Sequence, residues 1–349
     1  MDLRQQLQQT LGSAFVLERE LGGGGMSRVF VANEVRLNRK VVIKLLSPEL
    51  AAGVSVERFE REIQLAASLQ QANIVPILAA GDTNGLPYYT MPFVEGKSLR
   101  ARLAEDGALP ITAVVGILRD VARALAYSHE RGVVHRDIKP DNVLLSGGTA
   151  VVTDFGIAKA ITAARTTQES GSLTQLGTSI GTPSYMSPEQ AAGDPSVDHR
   201  ADLYSLGCMA YELLTGRAPF GDRAPARILA AHISETPEPP ATRRPDVPPA
   251  LDQLVMRCLE KDPAQRPQSG LEIVQALDAI LSGTGESMMS ARRAPRSLLR
   301  AVGTWAGATL AVAVVARAAV IAVGVPGWVF PGAILVMALG LPVLRIEGV

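Results

Sequence analysis

Cysteine is scarce in this chain. Its two thiols, Cys208 and Cys258, lie in apolar helix-like stretches without metal-ligand spacing. That pattern excludes a disulfide framework and fits a reducing compartment in which both are core residues. An excess of charge is missing too, since 34 Lys and Arg balance 34 Asp and Glu. No global field steers the protein toward nucleic acid, so no nucleic-acid partner is expected and binding has to be local. Met1 to Thr10 is polar and rich in Gln, and lacks the apolar stretch of a secretory signal. Residues 1–14 are therefore set apart as an N-terminal leader.

What is present is unevenly distributed. With 349 residues, 47% of them hydrophobic, the chain can bury one large bilobal core, and its length allows about two domains. From residue 15 to 281 short apolar runs alternate with polar turns and amphipathic helices, the pattern of an α+β globule. Residues 282–300 break it: Ser282 to Ser287 reads as a flexible linker, followed by the basic cluster Arg292, Arg293, Arg296 and Arg300. Between Ala301 and Leu344 only Arg317 is charged, and these 44 residues have room for two membrane spans. Residues 301–325 and 328–344 are read as a transmembrane helical hairpin, with Pro326 to Gly332 supplying the turn and the interfacial aromatics Trp328 and Phe330. The arginines on the near side place the preceding globule in the cytoplasm of a multi-pass cell-membrane protein, and Arg345 returns the C-terminus to that side. A buried pair of soluble helices is the alternative, and it leaves too little polar surface for water. Arg317 costs about 2.5 to 3.5 kcal/mol near a span centre, so it snorkels or ends the first span.

The chemistry begins with a glycine-rich turn. Phe15 to Leu21 reads as a strand, Leu21-Gly22-Gly23-Gly24-Gly25-Met26-Ser27-Arg28-Val29 as a turn whose backbone N–H groups can approach phosphates, and Val29 to Ala32 as the return strand. Alone, such a hairpin is more often only a mobile turn. The strand Val41-Val42-Ile43-Lys44 closes on a lysine, which in isolation simply snorkels to solvent. In the helix predicted over Val56 to Leu69, however, Glu62 borders the inner face marked by Phe59, Ile63 and Ala66. A carboxylate aimed at a core needs a cation, so a Lys44–Glu62 pair is expected, holding the lysine toward the α- and β-phosphates of ATP. The strand Tyr88 to Met91 runs into Pro92-Phe93-Val94-Glu95-Gly96, read as a connector between lobes. There Pro92 offers a carbonyl and Val94 an N–H to an adenine edge, with Met91 behind the pocket.

The densest signal is His135-Arg136-Asp137-Ile138-Lys139-Pro140-Asp141-Asn142, followed by Asp154-Phe155-Gly156. Asp137 is positioned to accept or orient the proton of a substrate hydroxyl, Lys139 to neutralise the γ-phosphate, and Asn142 and Asp154 to hold Mg²⁺, with Mn²⁺ as the alternative ion. His135 reads as a core histidine, and Leu144, in Val143-Leu144-Leu145, as part of the adenine floor. Each piece has a bland structural reading, but their assembly in this order does not.

Residues 15 to 281 resemble a bacterial, eukaryotic-like (Hanks-type) serine/threonine protein kinase. The resemblance implies a β-rich N-lobe (15–95), a helical C-lobe (96–281) and ATP between them. Lys139 and the segment Gly181-Thr182-Pro183-Ser184-Tyr185 resemble the serine/threonine branch. Ser187-Pro188-Glu189 matches the family's A-P-E motif with Ser for Ala, which implies a structural Glu189–Arg266 pair, and Asp202 resembles the aspartate that braces the catalytic loop. Departures are Ser27 for the third glycine, Val42 for the usual alanine, and Gln71-Ala72-Asn73 where the family often has His-Pro-Asn. The resemblance also implies protein substrates, autophosphorylation with Thr174 the first-choice site and Thr178 a second candidate, a phosphate partner in Arg136, and a homodimer for phosphorylation in trans. A nucleotide-binding scaffold without turnover and a small-molecule kinase are the competing classes. Retention of Lys44, Asp137, Asn142 and Asp154 speaks against the first, and Thr182 with Ser187-Pro188-Glu189 against the second.

Overall fold

The structure is a computed structural model, and it describes residues 2–24, 27–52, 54–157, 160–161 and 183–282. Among the described residues no helix is long and apolar enough to cross a membrane. The segments 301–325 and 328–344 lie outside them, as do linker residues 283–300.

The small lobe is built on an antiparallel five-stranded sheet. Its strands are β1 (Phe15–Gly24), β2 (Ser27–Glu34), β3 (Arg39–Leu46), β4 (Ala79–Thr83) and β5 (Leu86–Pro92), in the order β1-β2-β3-β5-β4. The glycine-rich segment is more strand than turn. Gly22, Gly23 and Gly24 pair with Val29, Arg28 and Ser27, so the ladder continues through residues the sequence reads as loop. Register shifts at Leu17/Arg19 and Glu20/Gly22 accompany this, the irregularity expected where a strand bends near a functional rim.

Helix α1 (Leu3–Leu11) comes from the segment the sequence sets apart as a leader. Leu7 and Leu11 join Phe30, Val41 and Ile43 in one buried cluster. The glutamines stitch it down: Gln6 donates to the Thr83 carbonyl at 3.0 Å, and Gln8 donates to Phe15 O at 2.8 Å while accepting from Leu17 N at 2.9 Å. A short helix α2 (Pro48–Ala51) follows β3. Helix α3 (Val56–Ala67) is capped by Ser55, whose Oγ accepts from Arg58 N, and it buries Phe59, Ile63 and Ala66. In the departure Gln71-Ala72-Asn73, the Asn73 side chain still donates to Ala150 O at 2.9 Å.

The larger lobe begins with β6 (Lys97–Ser98) and α4 (Leu99–Asp106) and is organised around α5 (Ile111–Glu130). The sequence places the start of α5 at Val114; Pro110 ends the extended entry and lets the helix begin three residues earlier. Strands β7 (Val143–Ser146) and β8 (Thr149–Val152) form a three-stranded sheet with β6. Then follow α6 (Pro188–Ala191), α7 (Arg200–Thr215), α8 (Pro225–Ser234), α9 (Pro240–Arg243), α10 (Pro249–Cys258) and α11 (Gly270–Leu281). Every residue of α7 from Ala201 to Leu214 is buried, making it the axis of the lobe. Cys208 and Cys258 are free and buried, and burial raises both thiols, Cys258 to about 12. They are inert core residues.

Candidate active site

Two sequence-distant segments bring the ionic groups together. Strand β3 carries Lys44, and its register pairs Lys44 with Tyr89 on β5, so both side chains stand on one face of the sheet. Asp154 follows β8 on a turn with φ +67°, a left-handed conformation uncommon for a non-glycine residue. Lys44 Nζ reaches Asp154 Oδ2 at 2.5 Å, and the Tyr89 hydroxyl donates to Asp154 Oδ1 at 2.8 Å. Burial pushes the Asp154 carboxyl up, but the charge and hydrogen bond of Lys44, helped by Tyr89, outweigh it and hold the group below its ordinary value. It is a carboxylate at neutral pH. Glu62 sits half-buried on α3; the carboxylate seen against Lys44 is that of Asp154.

The loop from Val133 to Asn142 presents the remaining groups. Lys139 Nζ lies 2.7 Å from Asp137 Oδ2, and Asn142 Nδ2 donates to the same oxygen at 3.0 Å and to Asp137 O at 2.8 Å. Asn142 is joined to the other turn through its carbonyl, which accepts from Thr153 N at 2.9 Å. Asp202, fully buried on α7, braces this loop by accepting from His135 N at 2.8 Å and Arg136 N at 2.7 Å, with His129 Nε2 at 2.8 Å. Burial raises its carboxyl, and the His129 hydrogen bond and charge more than reverse this. Arg136 also has φ +67°, so both functional turns carry left-handed non-glycine residues. His135 is buried edge-on against Phe155 and shares a 2.8 Å hydrogen bond with Thr153 O.

An apolar wall faces these charges. Val42 and Met91 belong to one buried cluster against which Val29, Phe93 and Val94 pack, while Leu21 is exposed at the rim. Leu144 is half-buried and pairs with Ser98 and Val151. Pro92 closes β5 opposite Val41. At Gly96, φ is +143° and a Cβ would lie 2.0 Å from Leu145 O, so the connector turns only on glycine. Ser27 opens β2 opposite Gly24, and Arg28 forms an exposed pair with Glu20 at 2.6 Å. Gly25 and Met26 lie outside the described residues.

Behind the loop, Arg266 makes two hydrogen bonds to Glu189, at 2.7 and 2.8 Å. Gln190, part of a capping box with Ser187 at the start of α6, donates to Arg136 O at 3.0 Å and so ties this brace to the loop that carries Asp137. Thr174, Thr178 and Thr182 lie outside the described residues. Two features escaped the sequence reading. One is Tyr89; the signal was a tyrosine in a buried strand, whose hydroxyl must find a partner. The other is a network in which Arg100 bonds Glu212 at 2.8 Å, the Tyr185 hydroxyl and, at 3.4 Å, Asp141.

Comparison with known proteins bears on this arrangement. Residues 15–278 match the model of the protein kinase domain family. The chain is 42% identical over 279 residues to the serine/threonine-protein kinase PknB of Mycobacterium leprae, covering 78% of this chain and 44% of that protein. It is 42% identical over 271 residues to its namesake in Mycolicibacterium smegmatis, covering 76% and 42%. A probable serine/threonine-protein kinase of Streptomyces coelicolor is 41% identical over 280 residues, covering 78% and 41%. The match takes in less than half the length of each of these relatives.

Proposed function

Because this chain belongs to the protein kinase domain family, we propose that it transfers the γ-phosphate of ATP to serine and threonine hydroxyls of proteins. One observation carries the reading: Lys44 and Asp154, 110 residues apart, meet at 2.5 Å beside the Asp137–Lys139 pair at 2.7 Å. Phosphoryl transfer asks the protein mainly for positioning and charge stabilisation, and this set supplies both. Asp137 accepts or orients the proton of the acceptor hydroxyl. Lys139 stands beside it to offset charge on the transferred group, and Lys44 holds the nucleotide's phosphates.

The residues fit a divalent cation. With Asn142 Nδ2 committed to Asp137, its Oδ1 remains to be offered, and Asp154 supplies an ionised oxygen. Among the described residues no cluster of three or more His, Cys, Asp or Glu forms a self-sufficient cage. Two hard oxygens suit Mg²⁺ or Mn²⁺ that takes its other ligands from phosphates and water. Such an ion, when bound, neutralises charge on the β- and γ-phosphates. Val29, Val42, Met91, Val94 and Leu144 supply the apolar surface for adenine.

Regulation and location belong to the same proposal. Thr174, as first choice, and Thr178 are the sites of autophosphorylation, in trans within a homodimer, and Arg136 receives the phosphate; among the described residues its buried Nε has no hydrogen-bond partner, which supports that role. Glu62 pairs with Lys44 in the phosphorylated state. Residues 15–281 form the kinase domain on the cytoplasmic side, with 282–300 as linker and 301–325 and 328–344 as membrane anchor.

Intact mass of the full-length chain after incubation with Mg²⁺ and ATP, beside Asp154→Ala, tests the activity. Phosphate on Ser or Thr of the unaltered chain alone is expected, together with transfer to a generic protein acceptor and none to small alcohols. No added mass, or transfer confined to small alcohols, overturns the reading. Phosphates found only outside residues 157–182 overturn the regulatory part.

A further inference from the structure

Tyr89 stands in an unusual place for a core aromatic. It is 3% exposed, belongs to the apolar cluster with Phe59, Ile63, Met91 and Ile157, and sends its hydroxyl to the carboxylate assigned to the metal. Resting on the kinase reading above, we propose that Tyr89 is a positioning residue: its hydroxyl fixes Asp154 Oδ1 so that Oδ2 is presented to the divalent cation, and it thereby sets metal affinity.

The argument is one of unequal partners. The terminal torsion of an aspartate is a broad, nearly two-fold rotor, so the side chain's own preferences do not settle where its oxygens point. Two groups settle it here, one on each oxygen. Lys44 approaches Oδ2 on a flexible four-carbon stem, and its ammonium is also the group that phosphates attract, so this partner is exchangeable. Tyr89 approaches Oδ1 with a rigid ring locked by packing in the middle of β5, where the hydroxyl is held where it is seen. Exchange at Lys44 frees Oδ2 while Oδ1 stays anchored. A neutral donor on the far oxygen of a ligating carboxylate is the arrangement by which outer partners orient metal ligands, and their loss typically costs 10- to 100-fold in metal affinity.

The test is Mn²⁺ binding to the full-length chain in the presence of a non-hydrolysable ATP analogue, read from the free-Mn²⁺ paramagnetic resonance signal. Tyr89→Phe keeps the ring and removes only the oxygen. We expect it to weaken Mn²⁺ binding about tenfold, the lower end of that range, to leave affinity for the metal-free analogue within about twofold, and to melt cooperatively. In an Asp154→Ala background the same substitution is expected to change nothing further. Unchanged or tighter Mn²⁺ binding in Tyr89→Phe, with Asp154→Ala still weakened, overturns the assignment of Tyr89 alone. Failure of the unaltered chain to bind Mn²⁺ with nucleotide overturns the metal-site reading and this assignment with it.

Discussion

Two ion pairs in this molecule share their chemistry and differ in everything around it. Arg266 is fully buried, and its guanidinium meets both Glu189 oxygens and the carbonyls of Arg200, Glu260 and Lys261. Its face also lies 4.9 Å from the Tyr204 ring. Lys44 and Asp154, with side chains 17% and 14% exposed, share a single contact. A cation whose every N–H is spoken for cannot change partners without unpairing a buried charge, so the Glu189–Arg266 pair is structural. A lysine with one partner among the described residues and a path to water can let go, which is what chemistry in a cleft requires. Satisfaction of the hydrogen-bonding inventory, more than burial of charge, separates brace from machine.

That contrast breaks most sharply at Arg266. Arg266→Ala leaves Glu189 and three carbonyls without their donor and should cost about 3 to 5 kcal/mol, read as a lowered denaturant midpoint; a loss below about 1 kcal/mol would make the two pairs equivalent. Asp154→Ala should do the reverse. Phosphotransfer should fall at least about 10³-fold, roughly 4 kcal/mol of transition-state stabilisation, while unfolding free energy falls by less than in Arg266→Ala, about 1 to 3 kcal/mol, because Lys44 can turn to solvent and only the Tyr89 hydroxyl loses its partner.

A pH titration sharpens the structural side. His232 is buried, shares a 2.9 Å hydrogen bond with the same Tyr204, and is held down to about 4 by burial and then by the Lys261 charge. Its folded-state value lies below the ordinary 6.5 or so, so the unfolded chain binds the extra proton between these limits. Stability from this group is complete above about pH 6.5 and is lost as pH falls toward about 4, by up to roughly 3 kcal/mol. Urea midpoints across that range should fall with pH, and His232→Phe should flatten the slope. The smallest effect belongs to an exposed pair, Arg217–Asp222 at 2.9 Å. Replacing either partner with alanine should change stability by less than about 0.5 kcal/mol and activity not at all.

How far all this was legible beforehand follows the range of the interactions. The roles expected of Asp137, Lys139, Asn142 and Asp154 lie in two short motifs whose spacing is itself the information. Apolar strands on either side give them places in a cleft. The helix α3 showed its inner face by the spacing of Phe59, Ile63 and Ala66, whereas the cap at Ser55 emerged with the structure. The helix in the polar leader was not legible, because Leu7 and Leu11 signal burial only once the sheet is there to receive them, and its glutamines read as solvated until they meet Thr83 and Phe15. The glycine-rich segment read as loop since glycine is indifferent to backbone conformation, and the pairing with β2 that makes it strand is supplied by the partner.

The order and spacing of its motifs, a local property written in adjacent residues, determined that this chain is built on a protein kinase domain and which residues are proposed to carry its chemistry. The tertiary structure alone decided which carboxylate Lys44 meets here, that Tyr89 reaches the other oxygen of that carboxylate, and that Arg266 rather than Lys44 is locked. Those choices depend on the register of β3 against β5 and on side chains 65 to 110 residues apart. Contacts across such distances come from the packing of whole elements, and no run of neighbouring residues encodes them.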